Sequence, residues 1–347
     1  MLEEHLKSAQ SGTDLTVDQM QQAILWMLAG QVSDQQVADL LLALATKGES
    51  VSELVGAARA LRLMMSPIRS QRTGLLDTCG TGGDGAKTFN ISTAVAFVAA
   101  AAGANVAKHG NRKVTSATGS ADVLSELGVK IDASREVVES CMNQLGICFC
   151  FAPLLHPAMK HVGAVRRSLS VPTLFNYLGP LCNPAGAAYQ IIGVGKKDLQ
   201  AKIAATLLQL PIEAAIVVRG EDGLDEVSLS GDTSVLHVQQ KMLTQTIWTP
   251  ESFGLSKINA DDLVVDGPVE SAQVIATILQ GQKGPRRDIV LANAAAALWV
   301  AGITHSLIDG VARAEKAIDS GAAMQILKDL GAKSNAIPDT GESSHQR

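Results

Sequence analysis

From Gly74 onward the chain alternates short apolar runs with helical segments, and this alternation restricts the fold more than any other feature. The apolar runs are Leu75–Thr78, Asn105–Lys108, Ile147–Phe151, Gln190–Val194 and Ala214–Val218. Each is short and bounded by turn residues, which predicts a buried strand. The helical stretches between them are Ile91–Ala102, Ala121–Leu127, Arg135–Leu145 and Leu199–Leu208. Apolar strands joined by helical crossovers predict an α/β fold with a mainly parallel central sheet flanked by helices. Ligands of such sheets sit at the carboxyl ends of the strands.

Residues 1–72 read as a small all-helical domain. Thr16-x-x-Gln19, Ser33-x-x-Gln36 and Ser50-x-x-Glu53 are capping-box signatures, each opening an apolar-periodic segment. Three short helices bury little alone, so this unit is expected to pack on the main domain or on a second copy. Trp26 and Leu40 suit either a dimer contact or a core. Residues 156–185 interrupt the alternation, and part of 160–186 is expected to return to the helical unit. The larger α/β domain then comprises 73–159 and 187–347. Within it Asp288–Leu330 reads as helices, with Asn293–Trp299 tightly packed, and the polar tail after Gly331 as frayed.

The first strand runs into Asp77-Thr-Cys-Gly-Thr-Gly-Gly-Asp-Gly-Ala-Lys-Thr-Phe-Asn-Ile-Ser-Thr93. Glycines let main-chain N–H groups approach an anion, and the helix beginning near Asn90 adds its free N–H groups and dipole. A phosphate cradle follows. The spacing Gly80-x-Gly82-x-x-Gly85 also fits a dinucleotide fingerprint. That reading needs an acid about 20 residues on, whereas the next strand ends in Lys108-His-Gly-Asn-Arg112.

Lys108, Asn111, Arg112 and Lys113 cluster after the strand, and the positive groups among them would neutralise phosphate oxygens. Ser120 either caps the helix Ala121–Leu127 or also binds phosphate through its backbone. Gly220-Glu-Asp-Gly-Leu-Asp225-Glu226 places adjacent acids after a strand, and acids beside phosphate loops point to magnesium. Glu221 and Asp222 read as a solvated turn. Arg166, with Arg167, is suited to bidentate binding of a carboxylate.

Composition narrows the classes. The 347 residues are 46% hydrophobic and carry a net charge of −5, which argues against non-specific binding to nucleic acid or anionic membrane. No apolar stretch reaches the ~20 residues of a membrane span. The start Met1-Leu-Glu-Glu-His-Leu-Lys7 is not a signal peptide. Five cysteines without paired metal spacing read as reduced core thiols of a cytoplasmic protein. Cys79 reads as packing. Cys148 and Cys150 are expected to face opposite layers of one sheet.

Taken together, Asp77–Asp84, Asn90–Thr93, Lys108–Arg112 with Gly119–Asp122, His156–Lys160, Phe175-Asn176, Leu178–Leu181 and Asp225-Glu226 resemble the anthranilate phosphoribosyltransferase family. The resemblance spans Leu15 to Leu330. It implies transfer of the 5-phosphoribosyl group from phosphoribosyl pyrophosphate to the amine of anthranilate, releasing pyrophosphate, in tryptophan biosynthesis. It also implies two magnesium ions (Mg2+) per monomer and a homodimer formed through the helical parts. Carried over by motif, the phosphoribosyl substrate would be held by Gly80, Gly83, Asp84, Thr88, Asn90, Ile91, Ser92 and Thr93. The second loop would add Lys108, His109, Gly110, Asn111, Arg112, Lys113, Val114, Thr115, Ser116 and Ser120. Gly80, Asn111 and Arg166 would meet anthranilate, and Ser92, Asp225 and Glu226 would hold metal. Pro172, Arg219, Lys113 and Ala117 depart from the family's usual residues. The weakly basic amine of anthranilate needs no strong general base, and none is assigned; His109 is the nearest candidate. The rivals are a pyrimidine nucleoside phosphorylase-like enzyme and a non-catalytic nucleic-acid-binding relative. The first would carry a Lys-His-Ser motif, and the second a basic surface with degraded phosphate and acidic motifs.

Overall fold

The computed structural model describes residues 2–112, 119–169 and 171–336. Four helices, not three, build the amino-terminal unit: Glu3–Gln10, Val17–Leu28, Asp34–Lys47 and Val51–Met64. The first has no side-chain cap at Leu2, so no capping signature announces it. The other three open at Thr16, Ser33 and Ser50, whose side chains accept the N–H three residues on. Gln19, Gln36 and Glu53 reach back to the cap N–H. Leu40 is fully buried, which removes it as a dimer contact. Trp26 is half-buried, its ring 5.8 Å from that of His5. The exposed apolar residues here are instead Leu42, Leu63 and Met64.

The α/β part holds seven strands: β1 Leu75–Asp77, β2 Asn105–Gly110, β3 Ile147–Phe151, β4 Tyr189–Gly193, β5 Ala214–Gly220, β6 Thr233–Gln239 and β7 Met242–Trp248. Their order is β3-β2-β1-β4-β5-β6-β7. The first five are parallel, and β6 and β7 add an antiparallel hairpin. The sequence pattern does not announce the hairpin. Its two-residue turn, Gln240-Lys241, takes left-handed φ at both positions without the usual Asn-Gly signal. β7 is exposed at all but its last residue, so it shows no alternation.

Period-2 burial divides the core. Ile216 and Val218 of β5 join a cluster that includes the helices Ile91–Ala101 and Pro285–Val300. Ala215 and Val217 face the other way, toward the helix Lys197–Leu207 and the amino-terminal helices. The helix Lys160–Ser168 packs on Val17–Leu28 and Asp34–Lys47, and Val162, Val165, Leu174 and Phe175 share their core. The same periodicity corrects one expectation. Cys148 and Cys150 lie two apart on β3, so their thiols share a face, with sulfurs 3.9 Å apart.

β1 lies between β2 and β4, so the chain departs to opposite sides of β1. A crevice opens at such a point, outside the carboxyl ends of the strands. The glycine loop, the end of β2, Gly193 and the segment after β5 all reach it.

Glu53 tests how the helical unit is held. It is 1% exposed, accepts from Leu15 N at 3.0 Å and Ser50 N at 2.8 Å, and pairs with Lys47 at 3.0 Å. Glu53→Ala strands these donors in a buried site, and urea unfolding is expected to show a loss of about 3 kcal/mol. Glu53→Gln, which keeps one acceptor, should lose less.

Candidate functional site

The glycine loop is shaped by close approach of main chain. A Cβ at Gly80 would stand 2.9 Å from the Gly193 carbonyl oxygen, and one at Gly193 would overlap the Asp225 carbonyl. Thr81 N donates to Gly193 O at 2.9 Å. Three chain segments therefore stack backbone on backbone where side chains are absent. Gly82, Gly83 and Gly85 take φ of 68°, 88° and 75°, which turns the loop back over the crevice. Its far side is pinned by a bridge between Thr88 and Val264 and by a bond from Asn90 N to Ser271 Oγ at 2.9 Å. The helix Ile91–Ala101 then starts with Asn90 Oδ1 accepting from Thr93 N at 3.1 Å.

Lys108, on β2, is 3% exposed. Its Nζ donates to Thr78 O at 3.3 Å, Thr78 Oγ1 at 3.2 Å and Ser92 Oγ at 3.0 Å. Burial pulls this ammonium below the ordinary lysine range. Asp77 beneath it accepts from His109 N at 3.0 Å and Asn183 Nδ2 at 2.7 Å. Burial raises Asp77 to about 6, with Asn183, Lys108 and His109 N–H opposing. The Cys79 thiol is pushed up by burial, in keeping with a packing role.

Three acids meet across the crevice. Asp84 Oδ2 accepts from Asp225 N at 3.3 Å and Asp84 Oδ1 from Ala86 N at 3.0 Å. Asp225 and Glu226 lie deep in the protein yet remain partly exposed to the cavity. Burial, then repulsion from Asp84 and Glu226, drives Asp225 well above the carboxylate range. Burial raises Glu226 to about 8 against the pull of Lys108. Such acids keep their charge only beside a cation, and hard oxygen donors near a phosphate cradle fit Mg2+. Asp222 is in the exposed turn, as expected, and also braces it, accepting from Ser228 Oγ at 2.7 Å and Leu224 N at 3.1 Å.

Together these groups line a cavity of about 270 Å³. Gly80, Gly83, Asp84, Thr88, Asn90, Ile91 and Ser92 line it from the first loop. Lys108, His109, Gly110, Asn111, Arg112 and Ser120 line it from the second, with Arg166, Asp225 and Glu226 opposite. Ile91 contributes main chain, since its side chain is 1% exposed in the core. Thr93 does not line the cavity; it is fully buried behind Asn90. Lys113, Val114, Thr115 and Ser116 lie outside the described residues, as does Ala117. Ser120 is not the helix cap that its position allows. Gly119 holds that place without a side-chain bond, and Ser120 Oγ donates to Asn111 O at 3.5 Å.

Arg166 reaches the cavity from the helix Lys160–Ser168, and its guanidinium lies 5.0 Å from the centre of the Phe175 ring. Burial lowers its pKa from the ordinary arginine value. A desolvated guanidinium stacked on a ring is ready for a planar carboxylate. In the sequence Phe175 shows only as part of a motif, and Gly193, Gly195 and Ser271 do not stand out at all. Their contribution is contact between distant segments, which no local pattern carries. Of the departures from the family's residues, Pro172 is exposed, and Arg219 Nε donates to Gly195 O at 3.3 Å.

The chain matches two family models, "Glycosyl transferase family, helical bundle domain" over residues 3–64 and "Glycosyl transferase family, a/b domain" over residues 72–324. It is 52% identical over 322 residues to an anthranilate phosphoribosyltransferase of Rhodopirellula baltica, covering 93% of this chain and 94% of that one. The corresponding protein of Laribacter hongkongensis is 47% identical, covering 92% and 94%. Among solved structures, the anthranilate phosphoribosyltransferase of Thermus thermophilus superposes with a TM-score of 0.89 at 41% identity, covering 95% and 99%. That of Saccharomyces cerevisiae, in complex with PRPP and Mg, superposes with a TM-score of 0.88 at 28% identity, covering 96% and 99%.

At the cavity wall, His109 packs against His156 with ring centres 5.2 Å apart and the ring planes tilted by 48°. Burial holds them neutral, lowering His109 to about 3 and His156 to about 4. An unfolded histidine titrates near 6.5. The unfolded chain therefore binds protons below that pH while the native imidazole does not. The stability His156 contributes is present above pH ~6.5 and is lost as pH falls toward ~4. Comparing the wild type with His156→Asn cancels the other titrating groups. The difference in unfolding free energy should shrink by ~1.4 kcal/mol per pH unit between pH ~6 and ~4, read by urea titrations.

Proposed function

The chain belongs to the anthranilate phosphoribosyltransferases, and we propose that its glycine-loop cavity performs the family's transfer through the residues assembled there. The reaction moves the 5-phosphoribosyl group from phosphoribosyl pyrophosphate to the amine of anthranilate, in tryptophan biosynthesis. The observation that carries the residue assignment is the meeting of a main-chain phosphate cradle, a buried lysine and three acids in one crevice.

Gly80, Gly83, Asp84, Thr88 and the Asn90–Ser92 helix start hold the phosphoribosyl and pyrophosphate groups, with Thr93 fixing Asn90 from behind. Lys108, Asn111, Arg112 and Ser120 close the other side. Lys113, Val114, Thr115 and Ser116, outside the described residues, are assigned to the same substrate by the family motif. Ser92, Asp225 and Glu226 would hold two Mg2+, with Asp84 Oδ2 fixing Asp225 by accepting from its N–H. When bound, the ions neutralise the pyrophosphate and stabilise it as a leaving group.

Cleavage of the bond from ribose C1 to pyrophosphate builds positive charge on the sugar and negative charge on the leaving group. Lys108 and the loop N–H groups stabilise the latter, and they are in place before reaction. Arg166, held by Phe175, takes the anthranilate carboxylate, with Gly80 and Asn111 beside the ring. The amine attacks C1 from the face opposite the departing group, so configuration inverts. The amine attacks as the free base, so no residue is needed to deprotonate it beforehand, and the proton that nitrogen sheds after the C1–N bond forms goes to the departing pyrophosphate or to solvent. His109, neutral and hydrogen-bonded through Nδ1 to Gly179 O at 2.9 Å, positions the loop.

The helical unit comprises residues 1–72 with part of 160–186, and 73–159 with 187–347 form the phosphoribosyl-binding domain. Two copies pair through the helical unit, with Leu42, Leu63 and Met64 in the contact. The enzyme works in the cytoplasm without nucleic acid or membrane as partner. Among the described residues no helix is long and apolar enough to cross a membrane.

The assay is loss of anthranilate fluorescence with phosphoribosyl pyrophosphate and Mg2+, repeated with each component omitted. Only the complete mixture should react. Asp225→Ala combined with Glu226→Ala should abolish turnover and calorimetric Mg2+ binding while the circular dichroism spectrum stays native. Full activity of that variant in excess chelator would refute the metal assignment.

Arg166→Ala should raise the KM for anthranilate by ~30- to 1000-fold, the equivalent of about 2–4 kcal/mol of paired charge. Phe175→Leu should act in the same direction by less. A change confined to the KM of phosphoribosyl pyrophosphate would reassign Arg166.

A further inference from the structure

A second cavity, of about 390 Å³, lies between the amino-terminal helices and the segment after β4. Glu49, Leu54 and Tyr177 form one wall. The turn Gly195–Lys197, Leu199, Lys202 and Arg219 form the other. Its volume falls in the ~300–1,000 Å³ range of small-molecule sites. One strand of backbone separates it from the transferase cavity. A Cβ at Gly195 would stand 2.9 Å from Asp84 Cα.

Charge in this cavity has two poles. Glu49 is 8% exposed, and among the described residues its Oε1 has no hydrogen-bond partner. Lys202 and Lys47 attract its carboxylate from a distance, but neither forms an ion pair with it among the described residues. The carboxylate takes a hydrogen bond from its own backbone, and a buried oxygen left without a partner calls for a further donor. The opposite wall is basic. Lys196, Lys197, Lys202 and Arg219 surround the start of the helix Lys197–Leu207, which has no side-chain cap. Asp198, also in the lining, is exposed. Between the poles, Leu199 offers a small apolar surface, while Leu54 in the same lining is fully buried.

A simple anion would satisfy the lysines and face Glu49 with like charge. A simple cation would leave the basic wall unmatched. We propose that this cavity binds a free α-amino acid with an apolar side chain. Its ammonium group meets Glu49, its carboxylate meets Lys202, Arg219 and the first helical turn, and its side chain rests on Leu199.

The test is calorimetric titration of the full chain with L-leucine, L-phenylalanine and L-tryptophan as probes, without transferase substrates. At least one probe should bind saturably at a single site. Its deaminated acid and its decarboxylated amine should each bind at least tenfold more weakly. Glu49→Gln should weaken the probe at least tenfold, about 1.4 kcal/mol, with turnover unchanged. Lys202→Gln, a change on an accessible side chain, should do the same and guards against a folding defect in the first variant. The proposal is overturned if no probe binds at ~10 mM, the weak end of specific small-molecule affinity, or if the acid binds as well as the amino acid. Affinity unchanged in both variants, or abolished by Arg166→Ala, would also overturn it. Because binding heat is read rather than turnover, these failures leave the transferase assignment intact.

Discussion

The catalytic crevice depends on backbone packing against backbone at Gly80, Gly193 and Asp225. A side chain at Gly80 would push the end of β4 away from the glycine loop, and one at Gly193 would push away the segment after β5. The phosphate cradle and the acids would then no longer share one space. Glycine is needed at Gly193 because of what lies beside it, since the residue ends an ordinary parallel strand. The β1–β4 junction creates the opening, and this contact sets its width.

That width has an electrostatic consequence. Lys108, Asp225 and Glu226 are close enough for their charges to interact and deep enough to lose most of their hydration. Burial lowers the lysine and raises Asp225 and Glu226, so charge on these groups is disfavoured in the ligand-free site. A polyanion with divalent cations supplies the missing partners on both sides. Stabilisation of a leaving pyrophosphate is a natural outcome of a site whose own charges are unsettled without one.

The neutral histidine pair and the Phe175 ring support this from behind. His109 continues β2 beside Lys108, and its N–H holds Asp77, which in turn binds Asn183. Phe175 carries Arg166 into the cavity from a segment that shares its core with the amino-terminal helices. The segment packed on the helical unit thus brings Arg166 to the cavity, and the sheet brings Lys108.

Much of this was legible in the chain itself. Alternating apolar runs specified the parallel strands β1–β5, because strand and helix periodicities are local. Capping boxes specified three helix starts for the same reason. The glycine loop, the Lys108 motif and Asp225-Glu226 stood out by residue type and spacing, and the fold gathers them in one cavity. Tertiary structure decided the rest. The β6–β7 hairpin turns on Gln240-Lys241, whose left-handed backbone has no residue signature. Leu40 was assigned to core over interface by the neighbours it meets. The roles of Gly193, Gly195, Ser271 and Phe175 arise from partners far along the chain: an amino-acid sequence lists which groups are present, and only the folded path determines which of them touch.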